Sequence, residues 1–205
     1  MTFIRVALLL GLCVALGGCV NARTGSPLHS KDYHPTKLGE TSAMMDFAGT
    51  KIPAQLEEKL EGNLYTIDVV AHGELLESEV YRSDSTQFSI HTILSEEYRP
   101  VLPLLTFPLA VPSQGKWSGS ISSGGMSRKA TASIKRYDSS LKIPDFMMPT
   151  LAVDVELRID GGGPEPSIRQ LKFQFANEKG LIYREFGTEL SRTPMKPIDV
   201  GGDDQ

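Results

Sequence analysis

The chain has 205 residues, 40% of them hydrophobic and 22% charged, with a formal net charge of −4. Its 21 lysines and arginines form no basic stripe and do not alternate with aromatics, which excludes nucleic acid as the natural partner. Two cysteines exclude a disulfide framework, and this length suits one domain around one core.

The first element is MTFIRVALLLGLCVALGGC. Arg5 and the α-amino group give a short positive region, and Val6 to Leu16 carries no charge. About eleven apolar residues fall short of the roughly 20 that a membrane-spanning helix needs, but they suit the core of a signal peptide. Leu16-Gly17-Gly18-Cys19 then resembles the lipobox of bacterial lipoproteins: a branched apolar residue, two small ones, and an obligatory cysteine. The resemblance implies a signal peptide over residues 1–18, read by its peptidase through Leu16, Gly17 and Gly18. It also implies diacylglycerol on the Cys19 sulfur, with palmitate-type acyl chains as a membrane anchor. A thiolate is the nucleophile that such a thioether requires. Loss of residues 1–18 removes Cys13 and Arg5, leaving Cys19 as the single thiol and moving the formal charge from −4 to −5. Two or three acyl chains, at about 0.8 kcal/mol per buried methylene, hold essentially permanently. Because Val20 follows the cysteine where an aspartate would favour the inner membrane, the resemblance implies the outer membrane, or the cell membrane if the cell is Gram-positive.

Residues 19–49 are polar, rich in Gly, Ser, Thr and Pro, and lack either structural period, so they read as a flexible tether of about 30 Å mean reach. The alternative is that the stretch around Met44 to Phe47 joins the fold as a first strand or a short helix. Residues 50–190 form a β-rich domain. At its start, Pro53 to Leu64 makes either one or two helical turns, with Leu56 and Leu60 on one face, or the approach to a strand. From Leu64 the alternation is clear: Tyr65, Ile67 and Val69 interleave with Thr66 and Asp68, and Phe88 and Ile90 with Ser89 and His91. Further β runs follow, divided by SSGG, YDSS, DGGGPEP and NEKG, and Asn177 to Gly180 suits a hairpin with glycine at positive φ. The count is about eight strands. The fold class is all-β with little helix, a single antiparallel curved sheet closing into a barrel or half-barrel, because a sheet with one apolar face and no amphipathic helix to cover it must curl. Residues 191–205, with two prolines, two glycines and three aspartates, read as a disordered tail.

Arg99 to Gly119 stands apart, with prolines at 100, 103, 108 and 112 and no charge between Val101 and Val111. Those prolines argue against a continuous central strand and against a helix. The segment is therefore either a plug across the open end of the sheet or an exposed apolar loop. Pro144 to Pro149, with its paired methionines, poses the same choice on a smaller scale. An apolar ligand would meet Leu104, Leu105, Phe107, Leu109, Trp117, Phe146, Met147 and Met148.

The order Phe-Pro-Leu, Gly-Lys-Trp, an Ile-Pro-x-Phe strand and KFQFANEKGLIYREFG resembles a loose group of secreted, β-rich bacterial proteins of unassigned function. The match runs from Pro103 to Leu190 and is strongest over Leu181 to Gly187, with a departure at Asp145 to Met148. Such proteins are similar in fold to the curved half-barrels of the periplasmic lipoprotein carriers LolA and LolB, whose concave face takes an acyl chain. No residue here matches those carriers one by one.

The sequence offers no catalytic constellation. Ser113 and Lys116 fit the S-x-x-K spacing of penicillin-recognising enzymes, but a proline precedes, a glycine intervenes and the accompanying K-T-G is missing. His29, His34, His72 and His91 lack metal-ligand spacing, and no cofactor motif is present. Two functions fit: a non-enzymatic envelope lipoprotein that binds an apolar ligand or lipid on its curved sheet, or a structural or accessory subunit of an envelope complex with a solid core. A hydrolase would need a polar cleft with converging titratable groups.

Overall fold

The computed structural model describes residues 27–35, 38–143, 146–161, 165–186 and 189–192. A single 3-10 turn, Ser30–Asp32, precedes twelve antiparallel strands. They are β1 (Gly39–Phe47), β2 (Thr50–Glu61), β3 (Leu64–Ala71), β4 (Glu74–Ser83), β5 (Gln87–Ile93), β6 (Glu96–Thr106), β7 (Ser113–Ser123), β8 (Met126–Ile143), β9 (Phe146–Ile159), β10 (Ser167–Ala176), β11 (Gly180–Glu185) and β12 (Glu189–Arg192). Each strand pairs with the next, and β12 pairs with β1 through Ala43↔Arg192 to Asp46↔Glu189, so the sheet closes into a barrel.

Alternation sets the two faces of the wall. β3 turns Tyr65, Ile67, Val69 and Ala71 inward, while β9 buries Leu151, Val153, Val155, Leu157 and Ile159, and β10 buries Leu171, Phe173 and Phe175. Outward rows carry Lys59, Asp68, Lys135, Asp154, Glu156, Arg158 and Lys172. A membrane-spanning barrel presents an apolar band about 25 Å tall on that side. This wall is built for water.

The strand count exceeds the expected eight for local reasons. Of the two readings of Pro53 to Leu64 the strand holds and the helical turns do not: Ala54, Leu56 and Glu58 are buried at period two and Leu60 is exposed, because pairing on both flanks overrides the helix propensity of Leu, Glu and Lys. β1 removes residues 39–47 from the tether expected over 19–49 and follows the alternative of a first strand there. β12 takes Ser191 and Arg192 from the expected tail. β5 and β6 are joined through Leu94 and Ser95, both at positive φ without a glycine to announce the turn. The other turns match their sequence signals, with His72 and Gly73 at φ 54° and 80°, and Gly180 at φ 71°. Cys19, Leu16, Gly17, Gly18 and the tail from residue 193 lie outside the described residues.

Strand direction gives the barrel two distinct ends. The hairpins β1–β2, β3–β4, β5–β6, β7–β8 and β9–β10 lie at one end, which is the far end. At the near end β1 begins and β12 finishes, among the hairpins β2–β3, β4–β5, β6–β7, β8–β9 and β10–β11. Residues 27–35 lie across the near end. Leu28 exchanges two backbone hydrogen bonds with Leu109 (2.9 and 3.0 Å), and Glu178 N–H donates to the Asp32 carbonyl (2.8 Å). His34 Nδ1 and Ser83 Oγ are 2.7 Å apart, and the buried Tyr33 ring stacks on Phe107 at 6.3 Å between centroids.

Candidate functional site

The place where an apolar ligand was expected is solid. Tyr65, Tyr81, Phe88, Phe173 and Phe175 fill the centre of the barrel, and Phe88 meets Tyr81 and Phe175 at centroid separations of 5.1 and 5.2 Å. A cavity bounded by Leu56, Ile67, Glu79 and Leu181 to Arg184 measures about 10 Å³, room for roughly one water molecule and far from an acyl chain.

The predicted ligand residues separate accordingly. Leu104, Leu105 and Leu109 are core side chains. Trp117 is buried too, and its flank borders an open hollow of about 410 Å³ with Lys116, Ser118, Thr131, Ala132, Ser133, Glu156 and Arg158. Phe107 is half-buried under Tyr33. Met147 is 56% exposed and Met148 half-buried, the Met148 sulfur 3.9 Å from Lys179 Nζ on the β10–β11 turn. The side chain of Phe146 lies outside the described residues. The structure therefore gathers the leucines of this set into packing, and leaves the methionines on a projection of the wall.

The proline segment is wall and seam: up to Thr106 it is strand β6, with Leu102, Leu104 and Leu105 in the core, and so neither of the two expected forms, a plug across the open end or an exposed apolar loop. Backbone pairing between β6 and β7 runs from Glu97↔Ser122 to Arg99↔Ser120 and stops at Pro100, which has no N–H to donate. Beyond that point side chains bridge the strands. Trp117 Nε1 donates to the Pro100 carbonyl (3.1 Å), while Arg136, reaching from β8, donates through Nε to Leu104 O (2.5 Å) and through Nη2 to Pro103 O (3.0 Å). Two glycines open the lane. A methyl group on Gly115 would lie 3.0 Å from Arg136 Nη1, and one on Gly119 would lie 2.5 Å from the Arg99 carbonyl oxygen. Burial lowers the Arg136 pKa from its ordinary value, yet a guanidinium stays charged, and carbonyl dipoles solvate it here.

The densest group of ionisable side chains sits inside the barrel. Arg184 of β11 crosses the interior to β4, donating from Nε to Glu79 Oε1 (2.7 Å) and from Nη2 to Glu77 Oε2 (2.5 Å), with its guanidinium carbon 4.3 Å from the Phe186 ring centroid. Tyr81 O–H donates to the other Glu79 oxygen (2.6 Å). Glu58 accepts from Tyr65 and from Thr41 Oγ1. Burial pushes the Glu79 carboxyl above the usual range, against the pull of Arg184, and burial with Glu79 beside it raises the Tyr81 hydroxyl. Such a group looks like an acid–base pair by residue type alone. With Glu79 and Arg184 at 0% and 1% exposure, no substrate reaches it, so it acts as a cross-brace.

No protein-family model matches the sequence, and no curated protein matches it either. Three solved structures share a similar arrangement. The hypothetical lipoprotein YmcC from Escherichia coli is 13% identical over 78% of this chain and 87% of that one, with a TM-score of 0.40. An exported protein of YmcC-like fold from Bacteroides fragilis is 12% identical over 81% and 99%, at 0.41. A protein of Parabacteroides distasonis, described as a lipoprotein, is 9% identical over 79% and 97%, at 0.44.

The remaining motifs behave as surface. Ser113 and Lys116 lie on one strand at odd spacing, so they point to opposite faces and cannot pair as a nucleophile and its base. His91 bonds to its neighbour Thr92 (2.9 Å) and His34 to Ser83. Among the described residues, no three His, Cys, Asp or Glu side chains come together.

Proposed function

We propose that the chain is a membrane-anchored lipoprotein of the bacterial envelope, tethered through Cys19, whose barrel is a solid structural or accessory body with no internal lipid cargo. One observation carries the choice between cargo and scaffold: Tyr65 of β3, Tyr81 of β4, Phe88 of β5 and Phe173 and Phe175 of β10 are all buried, and Phe88 meets Tyr81 and Phe175 in the middle of the barrel. A carrier of acyl chains needs a pocket of several hundred Å³. The anchor rests on Leu16-Gly17-Gly18-Cys19 following an uncharged run of signal-peptide length.

The test is labelling of growing cells with radioactive palmitate, followed by separation of membrane and aqueous fractions. The parent takes up label and sediments with membranes, and Cys19→Ser does neither. Equal labelling and equal sedimentation of the two would overturn the anchor. Extraction of the purified parent and mass spectrometry of what comes off addresses the scaffold: only the covalent acyl chains are expected, and a stoichiometric free lipid would return the protein to the carriers.

A further inference from the structure

Charge is divided between two sides of the barrel wall. On β1, β2 and β3 the register sets Glu40, Glu57 and Asp68 side by side on the outer face, with Lys59 3.9 Å from Glu57 and 3.8 Å from Asp68. Towards the far end the same face turns apolar. Met44 is opposite Pro53, Gln55 is opposite Val70, and Val70 is opposite Leu75; directly opposed residues share a face. Val70 stands between the inward side chains of Val69 and Ala71, so that face is the outer one. Leu76 is the extra residue where the β3–β4 register shifts. Leu75 is 62% exposed and Leu76 48%, and together they make an apolar knob on an acidic wall.

The wall of β7, β8 and β9 carries the opposite features. β5 and β6 separate it from the acidic wall on one side of the closed sheet, and β10, β11 and β12 on the other. Lys116, Ser133 and Glu156 are register partners there, and so are Ser118, Thr131 and Arg158. The two rows put short hydroxyl side chains in the middle and long charged ones at the border, which leaves the open hollow beside Trp117. The stems of Lys116 and Arg158 and the Thr131 methyl give that hollow apolar sides. Arg158 and Glu156 offset each other at 2.8 Å, so the exposed Lys116 and Lys129 set the sign of this wall.

We infer that copies of this chain meet wall to wall, with the Leu75–Leu76 knob of one seated in the β7–β9 hollow of the next. The acidic row of Glu40, Glu57 and Asp68 then faces Lys116 and Lys129. Charge decides the occupant: an acidic knob fits a basic hollow, and this chain carries one of its own. Burial of the two leucines supplies the attraction, while the opposed charges steer the approach and fix the register. Because the two surfaces are different walls of one barrel, the contact is heterologous and repeats from copy to copy as a row. It uses neither end of the barrel, so the near-end cover formed by residues 27–35 stays clear. The inference goes beyond the anchored scaffold proposed above and does not depend on it.

The test places the photo-crosslinking residue p-benzoylphenylalanine at position 76 of the full chain in growing cells. Light activates it, and the products are digested and mapped by mass spectrometry. The expected product is two copies of the chain, joined between position 76 of one and residues 116–135 of the other. Lys116→Glu with Lys129→Glu lowers its yield about tenfold, and adding Glu40→Lys with Glu57→Lys restores it. Thr131→Trp fills the hollow and lowers the yield by a similar factor without changing the melting temperature. Absence of a self-product overturns the inference. A product joined at β3–β4 of the second copy also overturns it, since knob would then meet knob about a two-fold axis, and so does a product with a different protein alone. Fractionation of the same cells reports the anchor separately. A chain that sediments with membranes without a self-product loses the row and keeps the anchor; a soluble chain that gives the mapped product keeps the row and loses the anchor.

Discussion

Gly119 stands where a methyl group would lie 2.5 Å from the Arg99 carbonyl oxygen and 2.6 Å from Cζ2 of Trp117. Neither neighbour has freedom to move: one is strand backbone at the last β6–β7 pair, the other an indole held by its bond to Pro100. Gly119→Ala therefore lowers stability by about 1 to 3 kcal/mol, the range of overpacking in a fixed core, as read from urea unfolding. Gly161→Ala is the control, because nothing lies within 4 Å of its added carbon and its backbone is not left-handed. An unchanged midpoint for Gly119→Ala would show that the seam is looser than it looks. At this scale the sequence was half legible. It marked Leu104, Leu105 and Trp117 as apolar, but apolar residues line cores and ligand sites alike, and only the filled interior separates the two uses. Arg184 and its partners Glu79 and Glu77 could not be found at all, since 105 and 107 residues of sequence separate them and nothing local marks an inward charge.

Among the elements, legibility followed how far each strand explains itself. β3, β9 and β10 alternate cleanly and stand where the pattern puts them. β2 and β6 do not, the first because Leu, Glu and Lys favour helix, the second because prolines disguise a strand that needs its ladder on one flank only. The β4–β5 connection is organised by a single carboxylate. Asp84 accepts from Thr86 Oγ1 (2.6 Å), Thr86 N (2.9 Å), Gln87 N (3.1 Å) and Arg82 Nε (2.9 Å). The Thr86 hydroxyl foremost, with those amides and Arg82, holds its pKa at about 2 against an ordinary 3.8. A depressed acid stabilises the fold above its unfolded pKa, and that contribution disappears as pH falls through the folded one. The turn thus loses stability between about pH 4 and pH 2. Because the Asp84 side chain is 22% exposed, the effect is discounted for screening to about 1 kcal/mol. Asp84→Asn is expected to be less stable than the parent at pH 7 by that amount and indistinguishable from it near pH 2. Unfolding curves at a series of pH values measure the difference, and parallel pH profiles for the two proteins would remove Asp84 as the cause.

For the whole molecule, closure is the organising fact, and it depends on both ends of the sequence at once. Among the described residues β1 and β12 meet over four register pairs, as few as β4 and β5, and only β6–β7 and β11–β12, with three each, have fewer. Residues 27–35 then cover the near end, bonded to the β6–β7 connection at Leu109 and to the β10–β11 turn at Glu178. The curved sheet was legible from alternation without any amphipathic helix, but its completion was not, because the closing strand β1 lies in a polar, Gly- and Thr-containing stretch that reads as linker. Cover and closure make different demands. Deleting residues 20–35 removes the buried Tyr33 and its stacking on Phe107 but leaves all twelve strands paired. One large side chain and its neighbours contribute about 3 kcal/mol by burial, so the melting temperature of a chain this size should fall by about 10 °C with one cooperative transition retained. Extending the deletion to Phe47 takes away β1, leaves the flanks of β2 and β12 unpaired, and opens Glu58 and Met45's surroundings to water. Cooperative melting is then lost, as followed by circular dichroism at both the β-sheet and the aromatic wavelengths. If the shorter deletion melts like the parent, the near-end cover is ornament; if it melts like the longer one, closure of the barrel requires residues 27–35 and not β1 alone.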